Sequence, residues 1–450
     1  MSFWDSFSAE PSEAALSLPR VRPRTSGSPS ASLGRLGLAG LLVTGLVISL
    51  AASKTGWLLP QSTRPIPGSL AGPFGNAGLK IGLAGLIVVF TLMFVSYVLI
   101  IRAAGQLSGR AVLMSIAGLN ALVLLAPPLF STDVFSYLAY GRMSALHGIN
   151  PYLHGPRWIA LDPYFHFVGS QWKLVPTAYS PLFTALSMAL APLDVAASLI
   201  AYKGIAAVSS LVIVVMVWNT ARLRGLEPVR AAALVGLNPV IAVYGVGGGH
   251  NDLLMLAVLT TGVYVLLRGR PRASGALIVA ATAIKLSAGL LAPYALAGEA
   301  GRLGSADRRR GLLAGAGAAA ALSAGLGFAL FGFGPLHLLG TLHKVQSYAG
   351  LQSIPGFISI ALGLGQLGQI AQLALTAGCG VTIAWLLRRV WIGELDWITG
   401  AGWATFTVLI TAGALLPWYM AWLVPLAALS SDRRLLIAGL ALTALGLTSL

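Results

Sequence analysis

Long apolar stretches recur along this chain, and its charges fall almost entirely between them; "LGLAGLLVTGLVISLAAS", from Leu36, is the first. About 20 such residues cross the ~30 Å hydrocarbon core of a bilayer as a helix. A helix satisfies its own backbone hydrogen bonds, which lipid cannot do for it. Composition closes off a soluble fold: 56% of the 450 residues are hydrophobic and 9% are charged, against about 25% charged in an ordinary soluble protein. With a mean hydropathy of +0.82, the chain reads as an all-α polytopic membrane protein.

Residues 1–34 depart from this pattern. "SLPRVRPRTSGSPSAS" is rich in Ser, Pro and Arg and has no apolar period, which fits a disordered tail; residues 35–450 then form the spanning domain. The first apolar run is too long for a signal-peptide core and counts as a span. Candidate spans are 37–57, 80–101, 111–130, 196–220, 230–247, 253–267, 311–333, 366–387, 398–416, 418–430 and 435–450. Residues 274–297 are apolar but broken by Lys285 and flanked by basic residues on both sides. They read as two short helices that enter and leave from one side, for a total of about 13 segments.

Cytoplasmic loops collect Lys and Arg. An N-terminus inside the cell puts Arg102/Arg110, Arg222/Arg224/Arg230, Arg268/Arg270/Arg272, Arg302/Arg308/Arg309/Arg310, Arg388/Arg389 and Arg433/Arg434 inside as well. The net charge of +16 is then a topology signal and a match to anionic lipid, not a sign of nucleic acid. The single cysteine, Cys379, lies in an apolar run; it excludes an intramolecular disulfide and argues against a thiolate metal site. The same topology places the loop 131–181, "GGGHNDL", 337–348 and "LPWYMAW" outside, and with them all six histidines, at 147, 154, 166, 250, 337 and 343. Histidine plays no part in setting the topology, so its agreement points to one polar site at the outer surface of the plasma membrane.

The loop 131–181 opens with "STDVFSYLAYGRMSALHGINPY", the densest polar chemistry in the chain. Loops of this length are usually functional or disordered, and helical periodicity over 133–147 predicts a helix lying on the membrane surface. Asp133 at its start is either a helix N-cap or a functional acid at the membrane mouth. Tyr152 and Tyr179 are candidates for interface anchors or sugar-stacking rings. His250, Asn251 and Asp252 follow three glycines at a tight turn, with Asn251 or Asp252 as a cap or as hydrogen-bond partners of a polar substrate; two ligands at this spacing are a weak metal signal. Lys203 is expected to snorkel, whereas Lys285 interrupts "ATAI-LSAGLL" and calls for an anion such as a lipid phosphate. Trp418 and Tyr419 fit an aromatic belt.

"DVFSYLAYGRM", "HGINPY", "YSPLF", "GGGHNDLLM", "ATAIKLSAGLL" and "LPWYMAWLVPL", in that order, resemble the actinobacterial polyprenol-phosphomannose-dependent α-1,6-mannosyltransferases. These are multi-spanning glycosyltransferases of the GT-C fold. The resemblance covers the chain from about residue 36 onward. It implies an inverting transfer of mannose from a polyprenyl-phosphate-mannose donor to a lipid-anchored α-1,6-mannan at the outer face. No cofactor and no metal are implied. The family's acid at the start of the first large outer loop matches Asp133, which would act as general base, with Asp252 as runner-up. One carboxylate suffices if a cation receives the leaving phosphate. Lys285, Lys203 and Arg142 are the candidates for that cation. Tyr152, His250, Asn251, Asp252, Trp418 and Tyr419 complete the expected substrate-binding set. Relatives often continue past the point that matches Leu450, where an extension would add acceptor contacts. A transporter or flippase of a polyprenyl-linked or polar substrate is the alternative reading, since intramembrane lysines and glycine-rich breaks suit it too. No paired halves of the kind expected of a transporter stand out in the sequence.

Overall fold

The computed structural model describes residues 29–301, 305–347, 353–363 and 366–448, which contain helices and no strand. In chain order the helices are α1 (Pro29–Ala51), α2 (Leu83–Ala103), α3 (Gly109–Leu125), α4 (Asp133–His147), α5 (Pro181–Leu190), α6 (Val195–Leu223), α7 (Pro228–Gly236), α8 (Asn251–Leu267) and α9 (Pro271–Ile284). They continue with α10 (Leu291–Ala300), α11 (Ala306–Phe331), α12 (Leu338–Ser347), α13 (Ile354–Ala361), α14 (Gln366–Trp391), α15 (Trp397–Thr411), α16 (Val424–Leu429) and α17 (Arg433–Thr448). α1 starts at Pro29, inside the segment read as tail; the rest of that tail lies outside the described residues.

Five of the described helices are long and apolar enough to cross a membrane: Ala31–Ala51, Leu83–Gln106, Val195–Leu223, Ala306–Phe331 and Ile370–Trp391. Their exposed apolar residues, such as Val43, Val88, Leu322 and Val381, form the surface a bilayer covers. Shorter apolar helices pack among them.

Two expected spans are broken. The stretch 230–247 divides into α7 and a π-helical turn, Ile241–Val246, around Asn238-Pro239. Proline removes a backbone donor and ends α7. Asn238 then satisfies the break from within, accepting from the N–H groups of Val240 and Ile241 and donating to Tyr97 and Thr443. The stretch 418–430 is a 3-10 turn, Pro417–Trp422, followed by the six-residue α16. By contrast, 274–297 is a pair, α9 and α10, joined by a 3-10 turn with Lys285 at the end of α9.

Arg224 and Arg308 stand at the far ends of α6 and α8 from Lys203 and His250, while Arg64 and Arg142 lie at the histidine end. At one end Arg224 pairs with Asp396 and reaches the Leu429 carbonyl, and Arg308 pairs with Glu299 and reaches the Leu266 carbonyl. At the other end the backbone of Phe130 bonds to Leu58, that of Leu129 to Gly247, and the Asn150 amide to Phe331.

α4 spans the residues its periodicity indicates, but it does not lie on a surface. Every residue from Asp133 to Gly141 is buried. The cover is α5, which comes so close that a Cβ on Gly141 would stand 2.1 Å from the Ser187 carbonyl oxygen. The 3-10 turns of the loop complete it, with Phe167 stacked on Phe135.

Candidate active site

Three backbone devices bring distant residues together at the histidine end. The first is the segment from Ala126 to Thr132. α3 stops before Pro127-Pro128, and Phe130 takes a left-handed conformation, φ 60°, held by its hydrogen bond to Leu58 and by stacking on Tyr244. This turn delivers Asp133 as the first residue of α4. Thr132 holds the N-cap position, and the Asp133 N–H donates to Ser131 Oγ, so Asp133 is not spent as a cap.

The second device is the glycine turn before α8. A Cβ on Gly247 would stand 2.6 Å from Leu129, and Gly249 has φ +66°, a region costly for other residues. His250 then occupies the N-cap position of α8 without a side-chain cap bond. Asn251 and Asp252 fall in the first turn, so neither is the cap the sequence suggested. The third device is the break after α9, which sets Lys285 opposite that first turn.

The result is a compact cluster of Asp133, His250, Asn251, Asp252, Lys285, Trp418 and Tyr419. His250 Nδ1 lies 3.7 Å from Asp133 Oδ2. The Tyr137 hydroxyl lies 3.4 Å from His250 Nδ1 and 3.4 Å from Asn251 Oδ1. His250 stacks on Trp418 at 3.8 Å between centroids, and Tyr419 stacks on Trp422 at 4.5 Å. Trp418 is buried; it belongs to this cluster and not to a belt at the lipid interface.

The two acids of the cluster are held differently. Both oxygens of Asp252 lie 2.8 Å from Lys285 Nζ, and the Trp422 indole donates to the same carboxylate. Lys285 also sits over the rings of Tyr419 and Trp422, 4.8 and 5.5 Å from their centroids. The anion that Lys285 called for is therefore supplied within the chain, by a residue 33 positions away in sequence. Asp133 receives one long bond, from the Tyr179 hydroxyl at 3.4 Å. Its carboxylate lines a cavity of about 1030 Å³. It lies past the end of α3, outside the spanning helices. Burial pushes its pKa up to about 6, against a partial offset from the charge of Lys285, and the charge of Asp252 adds to the rise. Three buried polar atoms of the cluster, His250 Nε2, Asn251 Nδ2 and Trp418 Nε1, have no protein partner among the described residues. Such groups favour a polar ligand. No three His, Cys, Asp or Glu side chains converge as metal ligands among the described residues.

Three expected residues do not join the cluster. Arg142 grips Asp162 at 2.9–3.1 Å, donates to the Ala191 carbonyl and lies 3.9 Å over the Tyr164 ring. Tyr152 is fully buried, with its hydroxyl on the Tyr179 carbonyl and Thr184; neither it nor the buried Tyr179 anchors an interface. Lys203 does not snorkel. It is 0% exposed, and its ammonium caps the carbonyls of Ala126 and Pro127, which the prolines leave without helical partners.

Tyr137 and Trp422 were not singled out from the sequence. Each had a signal there: Tyr137 stands four residues after Asp133, on the same helical face, and Trp422 stands in the same quoted aromatic run as Trp418.

Comparison with known proteins gives this arrangement a family. Residues 35–299 match the family described as "Alpha-(1->6)-mannopyranosyltransferase, N-terminal domain", and residues 349–448 match "MptB C-terminal domain". An alpha-(1->6)-mannopyranosyltransferase of Mycobacterium tuberculosis is 30% identical over 379 residues, covering 68% of this chain and 63% of that protein. Alpha-(1->6)-mannopyranosyltransferase A of the same organism is 28% identical, with 71% and 65% covered. Alpha-(1->6)-mannopyranosyltransferase B of Corynebacterium glutamicum is 30% identical, with 68% and 56% covered. The chain thus spans somewhat less than two thirds of the length of these relatives. No solved structure matches it. The first match contains Asp133, the glycine turn and Lys285, the three elements on which the cluster is built, and on that match the chain belongs to the alpha-(1->6)-mannopyranosyltransferase family.

Proposed function

We propose that the chain is an inverting mannosyltransferase that moves mannose from a polyprenyl-phosphate-mannose to an α-1,6-mannan on a lipid anchor. The observation that carries this reading is the contrast between its two clustered acids. Asp252 is locked between a lysine and an indole, while Asp133 keeps one long hydrogen bond and faces a cavity. A general base needs a carboxylate that is ionised near neutral pH and free to take a proton.

In the proposed reaction the acceptor hydroxyl gives its proton to Asp133. Its oxygen bonds to C1 of mannose as the bond from C1 to the phosphate oxygen breaks. The electron pair leaves with the polyprenyl phosphate. Lys203 and Arg142 lie outside the cluster, so Lys285, which Asp252 holds in place, is the cation within it for that phosphate. Asn251 Nδ2 and Trp418 Nε1 supply donors for the sugar hydroxyls, His250 Nε2 offers a further hydrogen-bonding atom, and the stacked rings exclude water. The site end of the bundle faces outside and the opposite end faces the cytoplasm, a reading supported by the basic loops that hold Arg224 and Arg308 at that opposite end.

The test is transfer of labelled mannose by purified protein, run with several polyprenyl-phosphate sugars. Product with an α-1,6 linkage from the mannosyl donor supports the proposal; no transfer from any donor contradicts it. Single cysteines at His147 and Arg309, in a Cys379→Ser background, test the orientation. An impermeant reagent should label position 147 and not 309 in intact cells.

A further inference from the structure

We infer that the cavity between the start of α9 and the start of α11 binds an anionic phospholipid, which presents its phosphate to Arg270, Arg272 and Arg310 and lays its acyl chains along the exposed face of α11. The cavity lies at the far end of α8 from His250. That helix has 17 residues and is therefore about 25 Å long. The inference is independent of the proposed transfer reaction.

The cavity holds about 670 Å³. Its charged lining consists of Arg270, Arg272, Arg310 and Asp307, so two positive charges are in excess. Among the described residues the side chains of Arg270 and Arg272 make no hydrogen bond or ion pair, and Arg310 stands 3.9 Å from a largely exposed Asp307. Arg270 and Ser305 hold the N-cap positions of α9 and α11 without a side-chain cap bond. The first N–H groups of both helices therefore lack helical partners, and both helix dipoles favour an anion there. Guanidinium groups pair with phosphate oxygens two at a time.

A second cavity at the same end of the bundle shows the opposite case. Arg230 and Arg433 line it, but so do Glu227 and Asp432. Those acids also cap the backbone: Glu227 accepts from the N–H groups of Val229 and Arg230, and Asp432 accepts from that of Arg434. In that cavity the chain supplies an acid for each arginine; between α9 and α11 it supplies one for three.

The surroundings make lipid the source of the anion. α9 and α11 touch through their backbones, since a Cβ on Gly315 would overlap the Arg272 carbonyl oxygen. Beyond this contact α11 is largely uncovered. Of its spanning stretch 11% is buried, and Leu313, Leu322, Leu326, Phe328 and Leu330 are exposed along it. A phosphate held at the start of α11 thus has apolar surface for its acyl chains beside it. Basic pockets between spanning helices suit such head groups.

The experiment titrates the full chain, purified in a mild detergent, with dioleoyl phosphatidylglycerol, with dioleoyl phosphatidylcholine and with inorganic phosphate, and counts bound ligand by native mass spectrometry. The wild type should prefer phosphatidylglycerol to phosphatidylcholine. An arginine near an anionic head group contributes about fivefold, so Arg272→Gln/Arg310→Gln should lower phosphatidylglycerol affinity about 25-fold. The charge-matched variant Arg230→Gln/Arg433→Gln should bind it as the wild type does. Equal binding of the two lipids by the wild type, or the same loss in both double variants, would overturn the inference. Inorganic phosphate bound as tightly as phosphatidylglycerol would also overturn it, by making the cavity a site for a free anion. Should Arg272→Gln/Arg310→Gln not fold, Arg310→Gln alone decides: a loss of about fivefold supports the site, and unchanged binding overturns it.

Discussion

The two ends of α4 carry the same chemistry and use it in opposite ways. At the far end Asp162 accepts from Arg142, from His147 at 2.8 Å and from the Tyr164 N–H at 3.0 Å. Burial alone would raise its pKa, but these hydrogen bonds outweigh burial and hold the carboxyl below its usual value. Arg142 in turn ties the loop to the end of α5 through the Ala191 carbonyl. At the near end Asp133 accepts one long hydrogen bond, from Tyr179 at 3.4 Å, with His250 Nδ1 farther off at 3.7 Å, and burial raises its pKa. A satisfied acid–arginine pair fixes a loop; an acid buried with few partners beside a cavity is poised to exchange a proton. Residue type does not separate the two, and partner count does.

The largest break in this comparison should come from Asp133→Asn. The substitution keeps size and removes the base. A base of this kind contributes about 10²–10⁴-fold, so transfer should fall by that factor while thermal unfolding stays near that of the wild type. Asp252→Asn that loses as much activity without loss of stability would exchange the roles of the two acids.

Lys285→Met comes next. Removing one partner of a buried ion pair costs about 3–5 kcal/mol, because Asp252 is left beside Trp422 with no countercharge. Unfolding in detergent should show this loss, and the double variant with Asp252→Asn should recover much of it. Additive losses would mean that the pair does not act as a unit. Asp162→Asn should have the smallest effect. It weakens charge-assisted bonds at the far end, for a loss of about 1–3 kcal/mol, and should leave kcat within about twofold of wild type because the clamp touches no reacting group. A hundredfold fall in kcat with stability preserved would make the clamp part of the site.

The sequence made the ingredients of this site legible more readily than its wiring. Charges and histidines are scarce in an apolar chain, so Asp133, His250, Asp252 and Lys285 stood out by position alone. The short helix pair around Lys285 was readable because both its flanks are basic. What could not be read was which group meets which. Lys285 finds Asp252 only because α8 and α9 pack side by side with their ends level. Lys203 finds two carbonyls because Pro127 and Pro128 end α3 beneath it. Arg142 stands one turn before the end of a helix whose neighbour, Asp162, arrives through an irregular loop. Trp418 looked like a belt residue because its indole gives no local sign of the histidine it stacks on. In each case the partner is set by tertiary packing, on which local pattern is silent.

The most direct test of the central claim is the pH dependence of kcat/KM for mannosyl transfer. A base works only when ionised, so activity should be full above an apparent pKa near 6 and fall about tenfold per pH unit below it. The residual activity of Asp133→Asn should lack that acid limb. Wild-type rates in Asp133→Asn, or the same limb in its residual activity, would contradict the assignment of Asp133 as the base.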